Sequence, residues 1–276
     1  MKKILHILII SFFSFNIISC DTTTIMLGAA GGGAAYWYKD DISTWYDDFS
    51  KETDKTAETD ETDETDETEE TNADPEQTRP LFVSVGGKGT ILTSSNGTKW
   101  TKRTSGSKGK LRAVAYGNDT LVVVGFSGTI LTSSDGTKWT KRKSGTKAHL
   151  GNVTYANDTF VAVGNGGSVL TSSDGTTWTK RKSRTKTSLY GVAYGNNTFV
   201  AVGYKGTIIT SSDGKSWTKR NSGTKKHLRG ITTGNGKFVM VGNAGTILSS
   251  PDSTTWSKMK SGTSRHLRRV FFDLVE

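Results

Sequence analysis

The sequence is short of several residue types, and each shortage excludes something. Among 276 residues there is 1 cysteine, which rules out an internal disulfide framework and any cysteine-cluster zinc site. Only 3 prolines stand against 32 glycines, so turns fall to glycine and its polar neighbours, with no collagen-like or proline-rich character. No apolar run reaches the ~20 residues needed to cross a bilayer as a helix; the run Ile4–Ile18 covers 15. Carboxylates are scarce in the body of the chain. Residues 81–276 carry 8 acidic and 30 basic side chains, net +22, whereas residues 21–80 carry 18 acidic and 4 basic, net −14. The overall charge of +10 therefore averages an acidic segment and a basic body.

The first twenty residues read as an address. Lys2 and Lys3 precede the apolar run, and a small residue stands before Cys20, the layout of a secretory signal. Ile17-Ile18-Ser19-Cys20 resembles the bacterial lipobox. That resemblance implies a signal peptide over residues 1–19, acylation of Cys20 (palmitate among the chains), and a lipoprotein held on the periplasmic or cell-surface side of a bacterial envelope membrane. Residues 20–50 then form a lipid-anchored juxtamembrane segment, in which Ile25–Tyr38 is rich in glycine, alanine and aromatics. Residues 51–80 are a self-repelling acidic linker with nothing apolar to bury, expected to be disordered, with a reach of roughly 30 Å.

Residues 81–276 are periodic. Trp100, Trp139, Trp178, Trp217 and Trp256 are spaced by 39 residues, and the runs starting at Thr90 and Phe82 recur with the same period. Each unit reads as four short strands separated by Asn, Asp and Gly turns: in one, Leu189–Tyr194, Phe199–Gly203, Thr207–Ser211 and Trp217–Lys219. Units of about 40 residues with four strands point to an all-β fold, a five-bladed β-propeller, rather than a helical solenoid. The domain starts at a second strand (Phe82) and ends on an orphan first strand, Leu267–Phe272. The C-terminal strand is therefore expected to pair with the N-terminal blade and close the ring, leaving no open edge.

The stretch Ser133-Ser134-Asp135-Gly136-Thr137-Lys138-Trp139 resembles the Asp-box of sialidase-type (BNR) propellers, as do the stretches around Asp174 and Trp178, Asp213 and Trp217, and, more loosely, Asp252 and Trp256. The resemblance implies that each Asp caps the turn between third and fourth strands and that each Trp packs between blades, away from any active site. The pattern departs by one residue between Asp and Trp. Asn96 replaces the Asp in the first unit, and Pro251 and Ser253 disturb the fifth.

Catalysis finds little support. Glycosidases need two carboxylates facing across a substrate. Of the eight acidic residues, Asp135, Asp174, Asp213 and Asp252 belong to the Asp-box turns, Asp119 and Asp158 to first-hairpin turns, and Asp273 and Glu276 to the C-terminus. The chain is thus expected not to be an enzyme, with no cofactor and no metal, and a glycan-processing activity is the disfavoured alternative. His149, His227 and His266 share one position of the unit and read as a solvated loop position rather than metal ligands.

The positive charge has two patterns. Lys102, Lys141, Lys180, Lys219 and Lys258 with their neighbours lie on the fourth strand, where edge lysine blocks sheet-to-sheet aggregation. A second set lies in the loops leading to the next unit: Lys108, Lys110, Lys147, His149, Lys186, Lys225, Lys226, His227, Arg265 and His266, with Arg112, Arg229 and Arg268 close by. Those loops share a face with Lys88 and Lys205, and a focused positive face attracts anions. The expected function is binding of an anionic envelope polymer, lipid headgroup or acidic protein surface by a monomer. An alternative is an assembly factor for a membrane complex, as a related photosystem-assembly propeller suggests. Nucleic acid suits the charge but not an exported protein.

Overall fold

A computed structural model of the chain describes residues 81–273. The expected signal peptide, Cys20, the juxtamembrane segment and the acidic linker lie outside the described residues. Among the described residues, nineteen strands form five antiparallel sheets in sequence order. The first sheet holds β1 (Phe82–Val85), β2 (Ile91–Ser94) and β3 (Thr101–Arg103). The second holds β4 (Leu111–Gly117), β5 (Thr120–Gly125), β6 (Ile130–Ser133) and β7 (Thr140–Arg142). The third holds β8 (Leu150–Ala156), β9 (Thr159–Gly164), β10 (Val169–Ser172) and β11 (Thr179–Arg181). The fourth holds β12 (Leu189–Gly195), β13 (Thr198–Gly203), β14 (Ile208–Ser211) and β15 (Thr218–Arg220). The fifth holds β16 (Leu228–Gly234), β17 (Lys237–Gly242), β18 (Ile247–Ser250) and β19 (Ser257–Met259).

Local chemistry accounts for each connection. β12 and β13 pair from Gly195↔Thr198 onward, leaving a two-residue turn in which Asn196 and Asn197 have φ of 45° and 54°. Two successive left-handed residues make the turn whose twist matches a hairpin, and asparagine tolerates that conformation. The second and third strands are joined by a 3-10 turn such as Tyr204–Gly206. The turn between third and fourth strands is capped by a side chain. Asp213 Oδ1 accepts the N–H groups of Lys215 and Ser216 at 2.8 and 2.9 Å, and Ser211 Oγ donates to it at 2.9 Å. Asn96 fills the same role in the first sheet, accepting from Thr98 and Lys99. Backbone N–H donors, that of Ser216 first, hold the Asp213 carboxyl below the usual aspartate range. The threonine hydroxyls of Thr137 and Thr176 do the same for Asp135 and Asp174, and the Thr255 N–H for Asp252.

Burial is greatest on the second and third strands and least on the fourth. The second strands are sandwiched between neighbouring sheets, and Phe160, Phe199 and Phe238, equivalent by the 39-residue period, are fully buried. The fourth strands show their polar residues to solvent. There Arg103, Arg142, Arg181 and Arg220 each donate through Nε to a threonine of the adjacent third strand at 2.8–2.9 Å. Three tryptophans sit beside the phenylalanine of their own sheet, Phe82–Trp100, Phe160–Trp178 and Phe238–Trp256 at 6.4, 6.3 and 6.2 Å, and Trp217 is the one fully buried. The turn glycine makes close contact with the preceding sheet. A Cβ on Gly175 would meet Val122 and Thr120, and one on Gly214 would meet Val161. In four sheets the indole N–H donates to that glycine's carbonyl. In the fifth, Ser253 replaces the glycine, and Trp256 Nε1 is buried with no acceptor.

The expected C-terminal strand is absent among the described residues: Leu267–Phe272 joins no sheet, and the first sheet keeps three strands. The segment is held against the fifth sheet instead. The Leu267 N–H donates to the Gly242 carbonyl at 3.0 Å, and the Phe272 ring lies over Gly234, whose missing side chain makes room for it.

The glycine ending each 3-10 turn is constrained twice. Gly206 has φ of 73°, and a Cβ there would come within 2.0 Å of the Thr224 carbonyl oxygen in the loop leaving the sheet. Gly223 has φ of 66° with open space around it. Gly223→Ala should therefore cost only left-handed strain, ~1 kcal/mol. Gly206→Ala adds an overpacking clash and should cost ~3 kcal/mol in denaturant unfolding. Equal losses would show that the carbonyl yields.

Candidate functional site

Because the sheets are antiparallel, the turns after first and third strands lie at one end of the assembly, and those after second and fourth strands at the other. Asp119, Asp135, Asp158, Asp174, Asp213 and Asp252 all occupy turns of the first end. The second end carries Lys88 and Lys205 on 3-10 turns and the loop residues Lys108, Lys110, Lys147, Lys186, Lys225, Lys226 and Arg265. Among the described residues no Asp or Glu lies at this end. The loop lysines are spread over it, exposed apart from the half-buried Lys110, while the rim lysines of the fourth strands stand apart from them.

At the basic end the starts of the first strands converge on a pocket of about 140 Å³. Its walls include Arg112, Phe126, His149, Tyr190, Arg229, Arg268 and Arg269. Of the ten loop residues expected to bind anions, only His149 reaches it. The others lie outside its lining, although Lys110 Nζ stands 5.8 Å from the centroid of Phe126. Arg112, Arg229 and Arg268 had read as neighbours of the loop lysines. They share one position of the 39-residue period with Gly151 and Tyr190, and for Arg112 and Arg229 it is the second residue of a first strand.

The guanidinium groups are held by aromatic faces. Arg112 Cζ lies 4.5 Å from the Phe126 ring centroid, and Arg229 Cζ lies 4.9 Å from that of Tyr190. Arg229 Nε also donates to Asn243 Oδ1 at 3.1 Å. Stacked guanidinium planes keep their forked donors oriented, which lowers the ordering cost of binding a carboxylate or phosphate. The pocket therefore combines fixed positive charge with apolar walls, and no carboxylate is among its lining residues.

The histidines have a role the sequence did not disclose. Nδ1 of His149, His227 and His266 accepts the backbone N–H of Ser127, Lys205 and Ala244 at 2.9, 3.0 and 3.1 Å. Each donor is the left-handed residue at the centre of a 3-10 turn. His149 also stacks on Phe126 at 4.1 Å, and His227 on Tyr204 at 4.3 Å. Among the described residues no three His, Cys, Asp or Glu side chains come together as metal ligands would.

A family profile for the DUF6242 β-propeller domain matches residues 105–228. No curated protein matches the chain. YCF48 bound to D1 peptide is similar in structure, with 21% identity over 66% of this chain and 64% of that one and a TM-score of 0.54. YCF48 from Cyanidioschyzon merolae is 20% identical over 68% of this chain and 71% of that one, TM-score 0.52. The WD40 β-propeller domain of Doa1 is 15% identical over 67% and 65%, TM-score 0.54. The chain thus spans just under two thirds of the first of these, and at such identities the likeness is one of fold. The fold is all-β and propeller-like, built from antiparallel four-stranded sheets.

Burial, followed by the positive charges of Arg229, Lys205 and His266, pushes the His227 imidazole below the ordinary histidine value of 6.5. The folded state then holds that proton less tightly than the unfolded chain. The contribution is full above the unfolded value and is lost as pH falls through it toward the folded one. In an NMR titration the His227 ring should titrate below free histidine. The Lys205 amide should lose exchange protection over the same pH range. A ring titrating above free histidine would overturn the assignment of its Nδ1 as an acceptor.

Proposed function

We propose that this chain is a non-catalytic, lipid-anchored protein of the bacterial envelope whose basic end recognises an acidic partner, with the arginine pocket as its anchor point. The observation that carries the reading is the separation of charge along the strand direction. Six aspartates occupy one end, while the other gathers arginines on aromatic faces at a pocket and lysines in its loops. The structural neighbour bound to D1 peptide favours a protein segment over a glycan or lipid as the partner. Envelope polymers and lipid headgroups offer the same anionic chemistry and remain the second reading.

The pocket sets the test. A charge-assisted hydrogen bond contributes about 1.5–3 kcal/mol, or roughly 10- to 100-fold in affinity. Arg229→Gln in the full chain should weaken binding of a polyglutamate probe by at least roughly ten-fold at low salt. Lys180→Gln on the rim should leave it nearly unchanged. Equal losses would mean that bulk charge, not the pocket, binds.

Five blades and a closed ring belong to the same proposal. Leu111 and Leu267 are equivalent, and each donates its N–H to a glycine carbonyl of the preceding sheet, Gly86 and Gly242. The terminal segment is thus held where the next first strand would lie. Carrying the Val114↔Val123 register across the period sets Val270 opposite Ser84. Cysteines introduced by Ser84→Cys and Val270→Cys should therefore form a disulfide under mild oxidation, seen by peptide mapping. Its absence would argue for an open assembly.

A further inference from the structure

We infer that the basic end docks the chain's own acidic segment, residues 51–76, so that the tether competes with any acidic partner. Residues 51–76 hold 13 acidic and 2 basic side chains, with alanine as their least polar members. They have nothing apolar to bury, and electrostatic attraction is the interaction open to them. Within the described residues, the end bearing Lys108, Lys110, Lys147, Lys186, Lys225 and Lys226 supplies no carboxylate to balance its charge. The opposite end carries six aspartates and repels the segment. The charge separation thus gives the segment one favourable destination.

Reach decides whether it can get there. Leu81 lies at the acidic end, since its side chain approaches Gly136 in an Asp-capped turn. The segment must pass from there to the basic end, a seven-residue strand away, or ~23 Å. A flexible stretch of 26 residues has a root-mean-square span of ~28 Å, and longer when charged. The distance is therefore close to the optimum for an intrachain contact, whose effective concentration is of millimolar order. Each exposed ion pair is weak and screened over ~8 Å at physiological salt. The contact depends on many pairs together, and salt or a better-fitting partner releases it.

The test uses the full chain and needs no natural ligand. Carbodiimide crosslinking at 50 mM salt should join carboxylates between Glu52 and Glu70 to Lys108, Lys110, Lys147, Lys186, Lys225 or Lys226 within the monomer. The links should fade at 0.5 M salt. Links made mainly to the rim lysines Lys102, Lys141, Lys180 and Lys219, or found only between two chains, would overturn the inference. A second chain carries Glu52→Gln, Asp54→Asn and the same exchange at every carboxylate through Glu70. It should bind polyglutamate roughly ten-fold more tightly than the native chain at 50 mM salt, with the gap closing at 0.5 M; equal affinities would also overturn the inference. This inference rests on the basic end as a binding surface, and the two can fail separately. Should neither chain bind polyglutamate, the recognition reading falls, and the crosslinks still decide the docking.

Discussion

The assembly depends on one close approach repeated in every sheet. The glycine ending each 3-10 turn takes a left-handed conformation and presses its bare α-carbon against a carbonyl of the loop that leaves the sheet. Gly206 against Thr224 is the pattern, repeated at Gly128, Gly167 and Gly245. That contact ties the second-to-third-strand turn to the fourth-to-first-strand loop. Both the loop lysines and the histidine acceptors are positioned by it, because His227 reaches the Lys205 N–H across the same junction. The chemistry of the basic end therefore rests on a steric feature that carries no charge.

The charge separation has an equally local origin. Turns at the acidic end need an oxygen to collect two or three backbone N–H groups, and aspartate supplies it at Asp135, Asp174, Asp213 and Asp252. At the basic end, serine and threonine hydroxyls do the corresponding work, as when Ser222 Oγ bridges the N–H and carbonyl of Thr224. A hydroxyl cap leaves the loop free to carry lysine without a carboxylate beside it. Turn chemistry alone thus makes the molecule electrically polar along its strands.

Much of this was legible in the sequence. The tryptophan period gave the strand count per unit, and Asn196-Asn197 announced a hairpin turn whose torsions match. The pocket was harder to read. Arg112, Arg229 and Arg268 follow the basic loop residues Lys110, Lys226 and Arg265 by only two or three positions, so linear charge grouping merges them. Their difference is spatial: all three line the pocket, which the loop lysines do not, and a one-dimensional pattern does not show which basic residues meet there. The part the histidines play is hidden from the sequence for a similar reason. A solvated loop histidine and one whose Nδ1 accepts an N–H 22 residues away look alike until the turn is folded. The Leu267–Phe272 run shows the opposite limit. Its residues have the pattern of a first strand, yet a ladder requires a partner edge as well as a pattern, and none is formed among the described residues.

The place where the chain enters the first sheet has a mechanical consequence. Any pull on residues preceding Leu81 is delivered to β1, a four-residue strand whose ladder among the described residues joins it to β2 alone. Four residue pairs must bear that load before the remaining sheets feel it. The first sheet is therefore the fuse of the assembly, set to yield under tension while the four-stranded sheets beyond it stay whole.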